Sequence, residues 1–337
     1  MQKLIFSIFS LFLVVQLTAQ DIHFSQQTFS PLNLNPSLAG AMKQDVRIAG
    51  SYRSQWQSVP VPYLTFSGSA DMKLPKVFSK NKNLQLSVGA LFNYDQAGTA
   101  ELTLSSFGIV GSIAYKINDY NSISIGAQSS LVQRNFTMNG LTWQNQFDGD
   151  IFRSVLNSRE SFNNDNFSFV DLGAGLNWRF YKPGTQNFGN FGFSLLHLNQ
   201  PDQSFDNAIE AELPMRIVVY SMGEIEFHPK WDGIIRAVGN LQGGYSELLV
   251  GLGGRYHLSK QRGNELAVQL NTFYRIGDAV IPSFEVHYGA FEVGLSYDIN
   301  ISEFQEATNR NGGFELGVIY TITNVKAVEV FESCPVF

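Results

Sequence analysis

The sequence predicts an all-β fold, a transmembrane β-barrel of about 14 antiparallel strands preceded by an irregular N-terminal segment. Three observations carry this expectation. Apolar and polar residues alternate over long stretches, as in "FEVGLSYDINIS", where Phe291, Val293, Leu295, Tyr297, Ile299 and Ile301 oppose Glu292, Gly294, Ser296, Asp298, Asn300 and Ser302. Period two over that length is a strand with one apolar face. Charged residues make up only 15% of the chain, against about 25% in soluble domains. Finally, the small and charged residues share a face while the opposite face is bulky and apolar, which suits a wall between lipid and a polar lumen better than a soluble sandwich.

Taken from the N-terminus, residues 1–19 read as a secretory signal peptide: Lys3, an uncharged run from Leu4 to Leu17, then Thr18 and Ala19. The run is too short for a helix that spans a bilayer. Residues 20–44 have neither helical nor strand period and are punctuated by Pro31 and Pro36. Dyad strands follow near 45–53, 63–73, 84–95, 101–118, 121–133, 168–181, 190–199, 215–228, 233–242, 246–258, 264–276, 282–289, 291–302 and 313–323. Their lengths match the roughly 9 to 11 residues of a tilted membrane strand. Residues 45–323 thus form the barrel, and 324–337 a C-terminal tail.

Tyrosines and tryptophans near strand ends, among them Tyr52, Trp178, Trp231 and Tyr320, fit the two interfacial girdles of such a barrel. If the first strand runs outward, long connections at 54–62, 134–167, 200–214 and 303–312 lie outside, and short ones lie inside. The inner exception is 74–83, of middling length and rich in lysine. Barrel and leader together place the chain in the outer membrane, in contact with its lipid, with the N-terminus on the periplasmic side.

Several function classes are excluded or weakened. A net charge of −6 gives nucleic acid no electrostatic footprint. One cysteine, Cys334, supports no internal disulfide framework. His23, His197, His228, His257 and His287 lack zinc spacing, and Asp148 and Asp150 begin no complete calcium loop. No G-x-S-x-G or P-loop occurs. The expectation is a non-enzymatic protein without cofactor or metal.

"DIHFSQQTFSPLNLNPSLAG" (21–40) followed by "YRSQW" (52–56) resembles the PorP/SprF family of the type IX secretion system. Asp21, His23-Phe24-Ser25-Gln26, Pro31-Leu32, Leu34-Asn35-Pro36 and Ala39-Gly40 keep the family pattern, and Ile22 and Ser37 depart from it. "DLGAGLNW" (171–178), "GFSLLHLNQPDQSF" (192–205), "SYDIN" (296–300), "NGGFELGVIY" (311–320) and the closing "CPVF" extend the match over nearly the whole chain. The resemblance implies an outer-membrane component of the secretion and gliding motility machinery of Bacteroidetes, partnered by that machinery. It further implies anchoring of a secreted surface adhesin through its C-terminal domain. Two other readings stay open: a FadL-like channel for small hydrophobic solutes, and a structural scaffold for the machine's periplasmic ring, with the 74–83 turn as its contact.

Two site expectations follow. Irregular backbone at membrane depth is tolerated only where it is buried in protein or lines a wet cavity. His23, Phe24, Gln26, Asn33, Asn35 and Pro36 are therefore expected to plug the lumen, the alternative being a periplasmic arm. In the loop 134–167, Trp143, Phe147, Phe152 and Phe162 are apolar groups that an aqueous loop exposes only for a partner or packs into a fold of its own. They are the expected partner contacts, and a self-packed lid is the alternative.

Overall fold

In a computed structural model, residues 21–323 are described apart from 56–62, 76–80, 99, 138–140, 142, 154, 157–164, 183, 186, 206–210, 262 and 303–304. The strands are β1 (Val46–Gln55), β2 (Tyr63–Lys73), β3 (Leu84–Ala97), β4 (Leu102–Lys116), β5 (Asn121–Asn135), β6 (Asn166–Tyr181) and β7 (Phe188–Leu196). β8 (Arg216–His228), β9 (Trp231–Gln242), β10 (Tyr245–Ser259), β11 (Leu266–Arg275), β12 (Ala279–Tyr288), β13 (Phe291–Asn300) and β14 (Asn311–Ile322) complete the set. Each pairs with its sequence neighbours, and β1 pairs with β14, which closes a 14-stranded antiparallel barrel. Closure removes the free edges that lipid could not hydrogen-bond. No described helix is long and apolar enough to cross a membrane.

The dyad sets the two faces. On β13 the odd positions from Phe291 to Ile299 point outward, while Gly294, Ser296, Asp298 and Asn300 are buried inside. Leu252 and Leu270 stay 67% and 65% exposed. In water such leucines would cost stability, whereas in a bilayer they meet acyl chains. Buried groups on the inner face include Arg53, Asp71, Asp171, Arg275, Glu285 and Glu315. The interior is thus polar and filled.

All fourteen expected strands are present, and the differences at their ends have local causes. β7 stops at Leu196 rather than 199 because His197 (φ 57°) and Gln200 (φ 41°) take left-handed backbone. The Asn199 side chain then substitutes for the missing strand: its Oδ1 accepts from Leu172 N at 3.0 Å and its Nδ2 donates to Val170 O at 2.7 Å. β12 starts at Ala279, ahead of Pro282. Proline lacks a ladder donor, and pairing with β13 lapses between Val280 and Ser283.

The longest connections, 136–165 and 197–215, leave from one end of the barrel. Connections 74–83, 117–120, 182–187, 229–230, 260–265 and 289–290 share the other end.

Candidate functional site

The N-terminal segment runs down the lumen. It begins at Asp21, near the end with the long connections, and reaches the short-turn end at Asp45, whose amide donates to Ile322 O. Three short helical turns, Gln27–Phe29, Pro31–Leu34 and Pro36–Leu38, satisfy only part of the segment's backbone. Pro31 and Pro36 open their turns, where a missing N–H costs nothing.

The barrel wall supplies the rest. Ser194, Ser124 and Ser112 donate their hydroxyls to the carbonyls of Leu34 (2.7 Å), Ser37 (2.9 Å) and Ala39 (2.6 Å). Arg47 Nη2 donates to Leu38 O at 3.0 Å, and Gly40 N donates to Asp71 at 2.7 Å. Buried backbone groups must be paired somewhere, and inward serines are short enough to do so without holding the segment off the wall.

Glycines let it come closer still. A Cβ at Gly175 would sit 2.0 Å from Asn35 Oδ1, and one at Gly317 would sit 2.3 Å from the Phe29 ring. Asn35 Nδ2 donates to the Leu176 and Phe193 carbonyls at 3.0 and 3.1 Å, while its Oδ1 accepts from Ser37 N at 2.8 Å. Asn33 and Asn93 exchange amide hydrogen bonds at 2.8 and 2.9 Å.

Two ionic clusters hold the beginning of the segment. Asp298 accepts from Ser25 Oγ (3.0 Å), Arg53 (2.7 Å) and Arg275 (2.9 Å). Next to it Glu315 accepts the amides of Ser25 (2.8 Å) and Gln26 (2.7 Å), and Arg53 donates to His23 O at 2.7 Å. In the second cluster His197 stands between two carboxylates, Nδ1 at 2.9 Å from Asp171 and Nε2 at 3.0 Å from Asp21, with Arg216 also 2.9 Å from Asp21.

Burial works against a charged imidazole at His197, but Asp21 and the hydrogen bond to Asp171 outweigh it and push its pKa up to about 9. Burial likewise opposes ionisation of Asp21, yet His197 and Arg216 hold it well below the usual carboxylate range. The sign follows. Stability from the raised histidine is fully present below its ordinary 6.5 and is lost as pH rises through about 9. Amide exchange of residues 21–26, corrected for intrinsic rates, should therefore accelerate between pH 7 and pH 10, and His197→Gln should exchange at pH 7 as the parent does at pH 10. An unchanged pH profile in His197→Gln would remove the histidine from the anchor.

Phe24, Gln26, Asn35 and Pro36 are buried, while His23 and Asn33 are half-buried. A cavity of about 50 Å³ lies beside Asp21, Asn33, Gln128, Arg134 and Asp171.

The loop candidates separate. Between β5 and β6, Gln146 is a buried hub: its Oε1 accepts Trp143 N at 2.9 Å, its Nε2 donates to Leu156 O at 3.0 Å, and its carbonyl accepts Arg153 N at 2.8 Å. Asp148 Oδ1 accepts from the amides of Asp150 and Ile151, so the acidic pair builds a turn. Trp143 is half-buried, Phe147 and Phe152 are exposed and pack on each other at 5.1 Å, and Phe162 lies outside the described residues. Cys334 also lies outside them. Phe205 of the 197–215 connection packs edge-on against Phe136 and Phe167 at 4.8 Å, joining the two long connections at their bases.

Sequence reasoning missed His197, Asp171 and Arg216 as a group. The signal present was the stretch "HLNQPDQSF", which breaks the dyad just where β7 ends. Among the described residues no cluster of three or more His, Cys, Asp or Glu side chains could hold a metal ion.

Against this geometry the chain matches the model of the type IX secretion system membrane protein PorP/SprF over residues 16–320. It belongs to the PorP/SprF family. This PorP/SprF protein is accordingly an outer-membrane β-barrel of a secretion-system family. It is also similar to solved structures. The toluene transporter TbuX of Ralstonia pickettii is 9% identical, with 88% of this chain and 94% of that chain covered and a TM-score of 0.49. A FadL homologue of Pseudomonas aeruginosa is 11% identical, with 85% and 92% covered and a TM-score of 0.49. No curated protein matches the chain.

Proposed function

We propose that this PorP/SprF barrel binds and anchors a secreted surface adhesin, through the adhesin's C-terminal domain, on the loop between β5 and β6. One observation carries the reading: Phe147, Ile151, Phe152 and Val155 are exposed together on a loop whose backbone Gln146 fixes, and Val155 is 88% exposed. Exposed apolar groups on an ordered aqueous loop mark an interaction site. A lid folded for itself would bury them. The cavity beside Asp21 weighs against a solute site there, because its volume of about 50 Å³ falls short of the roughly 300 Å³ where ligand pockets begin.

Tagged protein drawn from its native outer membrane in mild detergent should bring a large secreted protein or its C-terminal fragment. The double variant Phe147→Ser/Phe152→Ser should lower that recovery about tenfold or more, the scale of losing central aromatic anchors, while its heat-dependent gel shift stays that of a folded barrel. Equal recovery with the variant would end the loop's role. Periplasmic machine components recovered in place of the adhesin would move the function to the machine itself.

A further inference from the structure

The lysines are sorted to one end of the barrel. Every described lysine, Lys43 and Lys73 included, lies at the end with the short turns, and none lies at the other. Five of the six short connections carry an exposed lysine in the turn or at its strand end: Lys82, Lys116, Lys182, Lys230 and Lys260. The opposite end is mostly acidic, with Glu101, Asp150, Asp202, Asp278 and Glu306 against the exposed Arg153 and Arg310, while Asp119 and Glu265 stand among the lysines.

Exposed aromatic residues accompany the lysines. Tyr115 and Tyr120 flank Lys116, Phe180 precedes Lys182, and Phe227 and Trp231 flank Lys230. Trp231 also packs on Tyr256 of the neighbouring strand at 4.8 Å. Aromatic rings settle at the headgroup level of a bilayer, and lysine stems lie along apolar surface while the ammonium reaches the interface. Two of the five lysines have weak or exposed internal partners: Lys260 stands 3.5 Å from Glu226, and Lys116 pairs with Asp119, which is 79% exposed.

We propose that this end is a lipid-binding rim whose lysines hold anionic phospholipid headgroups of the periplasmic leaflet. The distribution decides between partners. A docked acidic protein needs its basic groups on one patch, but these are spaced around the circumference, turn after turn, at the height of an aromatic belt. Lys116 and Lys260 rise from the inner side of the rim, and Lys82, Lys182 and Lys230 from the turns themselves. Such a ring faces headgroups wherever the barrel meets the bilayer. Short turns belong to the periplasmic side of outer-membrane barrels, which selects phosphatidylglycerol-like lipid over the phosphates of outer-leaflet lipopolysaccharide. Lysines near an anionic surface bind it electrostatically and lose it to salt.

The experiment uses the full chain in nanodiscs of mixed phosphatidylcholine and phosphatidylglycerol, with retained lipid counted by native mass spectrometry. The parent should retain phosphatidylglycerol over phosphatidylcholine by at least threefold. Lys116→Gln/Lys182→Gln/Lys230→Gln/Lys260→Gln should abolish the preference, and Glu101→Gln/Asp150→Asn at the other end should leave it intact. The heat-dependent gel shift reports folding of each variant, and successive single substitutions replace the quadruple variant if it does not fold. Equal retention of both lipids by the parent, or a preference unchanged in the lysine variants, overturns the proposal. So does, in a parallel set of nanodiscs that also carry lipopolysaccharide, retention of lipopolysaccharide over phosphatidylglycerol by the lysine-bearing parent.

Discussion

Asp298→Ala is expected to free the start of the N-terminal segment and to lower barrel stability more than any other single lumen substitution. The carboxylate is 2% exposed and receives Ser25 Oγ, Arg53 and Arg275 within 3.0 Å. Removing one member of a buried ion pair leaves the partner charge uncompensated, at a cost of about 3–5 kcal/mol. Here two guanidiniums lose the same counter-ion. Glu247 at 3.2 Å and Asp278 at 3.0 Å still face Arg275, whereas Arg53 is left to the cross-strand Glu315, already engaged by the Ser25 and Gln26 amides, and its bond to the His23 carbonyl weakens. Urea unfolding in detergent micelles should show a lowered midpoint, and amide exchange should rise across residues 23–26. A variant matching the parent in both would mean that the cluster is not what holds the segment.

Gly126→Val should open the barrel. A Cβ there would lie 2.4 Å from Ser37 N and 2.5 Å from Pro36 C. Both are backbone atoms of a turn, so no rotamer change relieves the clash. The strand itself tolerates valine, a good β-former, which directs the strain onto the segment; overpacking of this kind costs roughly 1–3 kcal/mol or more. Gly111, one strand away, provides the control, since nothing lies within 4 Å of a Cβ built there. In planar bilayers Gly126→Val should conduct where the parent and Gly111→Val are silent. A silent Gly126→Val that folds normally would show that the segment shifts along the wall without leaving it.

The strands were legible because lipid imposes a demand on every second residue. Leu252, Leu270 and the odd residues of β13 have no polar alternative, and the pattern survives any error about which strand pairs with which. Boundaries slipped where backbone and side chain traded roles, as at His197 and Asn199, because a left-handed residue other than glycine leaves no mark in the alternation. The lumen partners were much less legible. Parity placed Arg53, Arg275, Asp298 and Glu315 inside, yet Ser25 meets Asp298 across 273 positions and Glu315 across 290. Only closure of β1 on β14 brings them together, and no local period encodes that. The loop candidates were singled out by bulk and length alone, so Trp143 and Phe147 looked alike. The Gln146 hub that turns one partly inward and the other out has no signature in sequence.

The pairing of β1 with β14 is the one joint made by strands from opposite ends of the chain, and Arg53 stands opposite Glu315 across it. Arg53 holds the His23 carbonyl while Glu315 holds the amides of Ser25 and Gln26. The N-terminal segment is therefore a stitch over the barrel's seam. Parting β1 from β14 at Arg53 and Glu315 would also break the hydrogen bonds that hold residues 23–26.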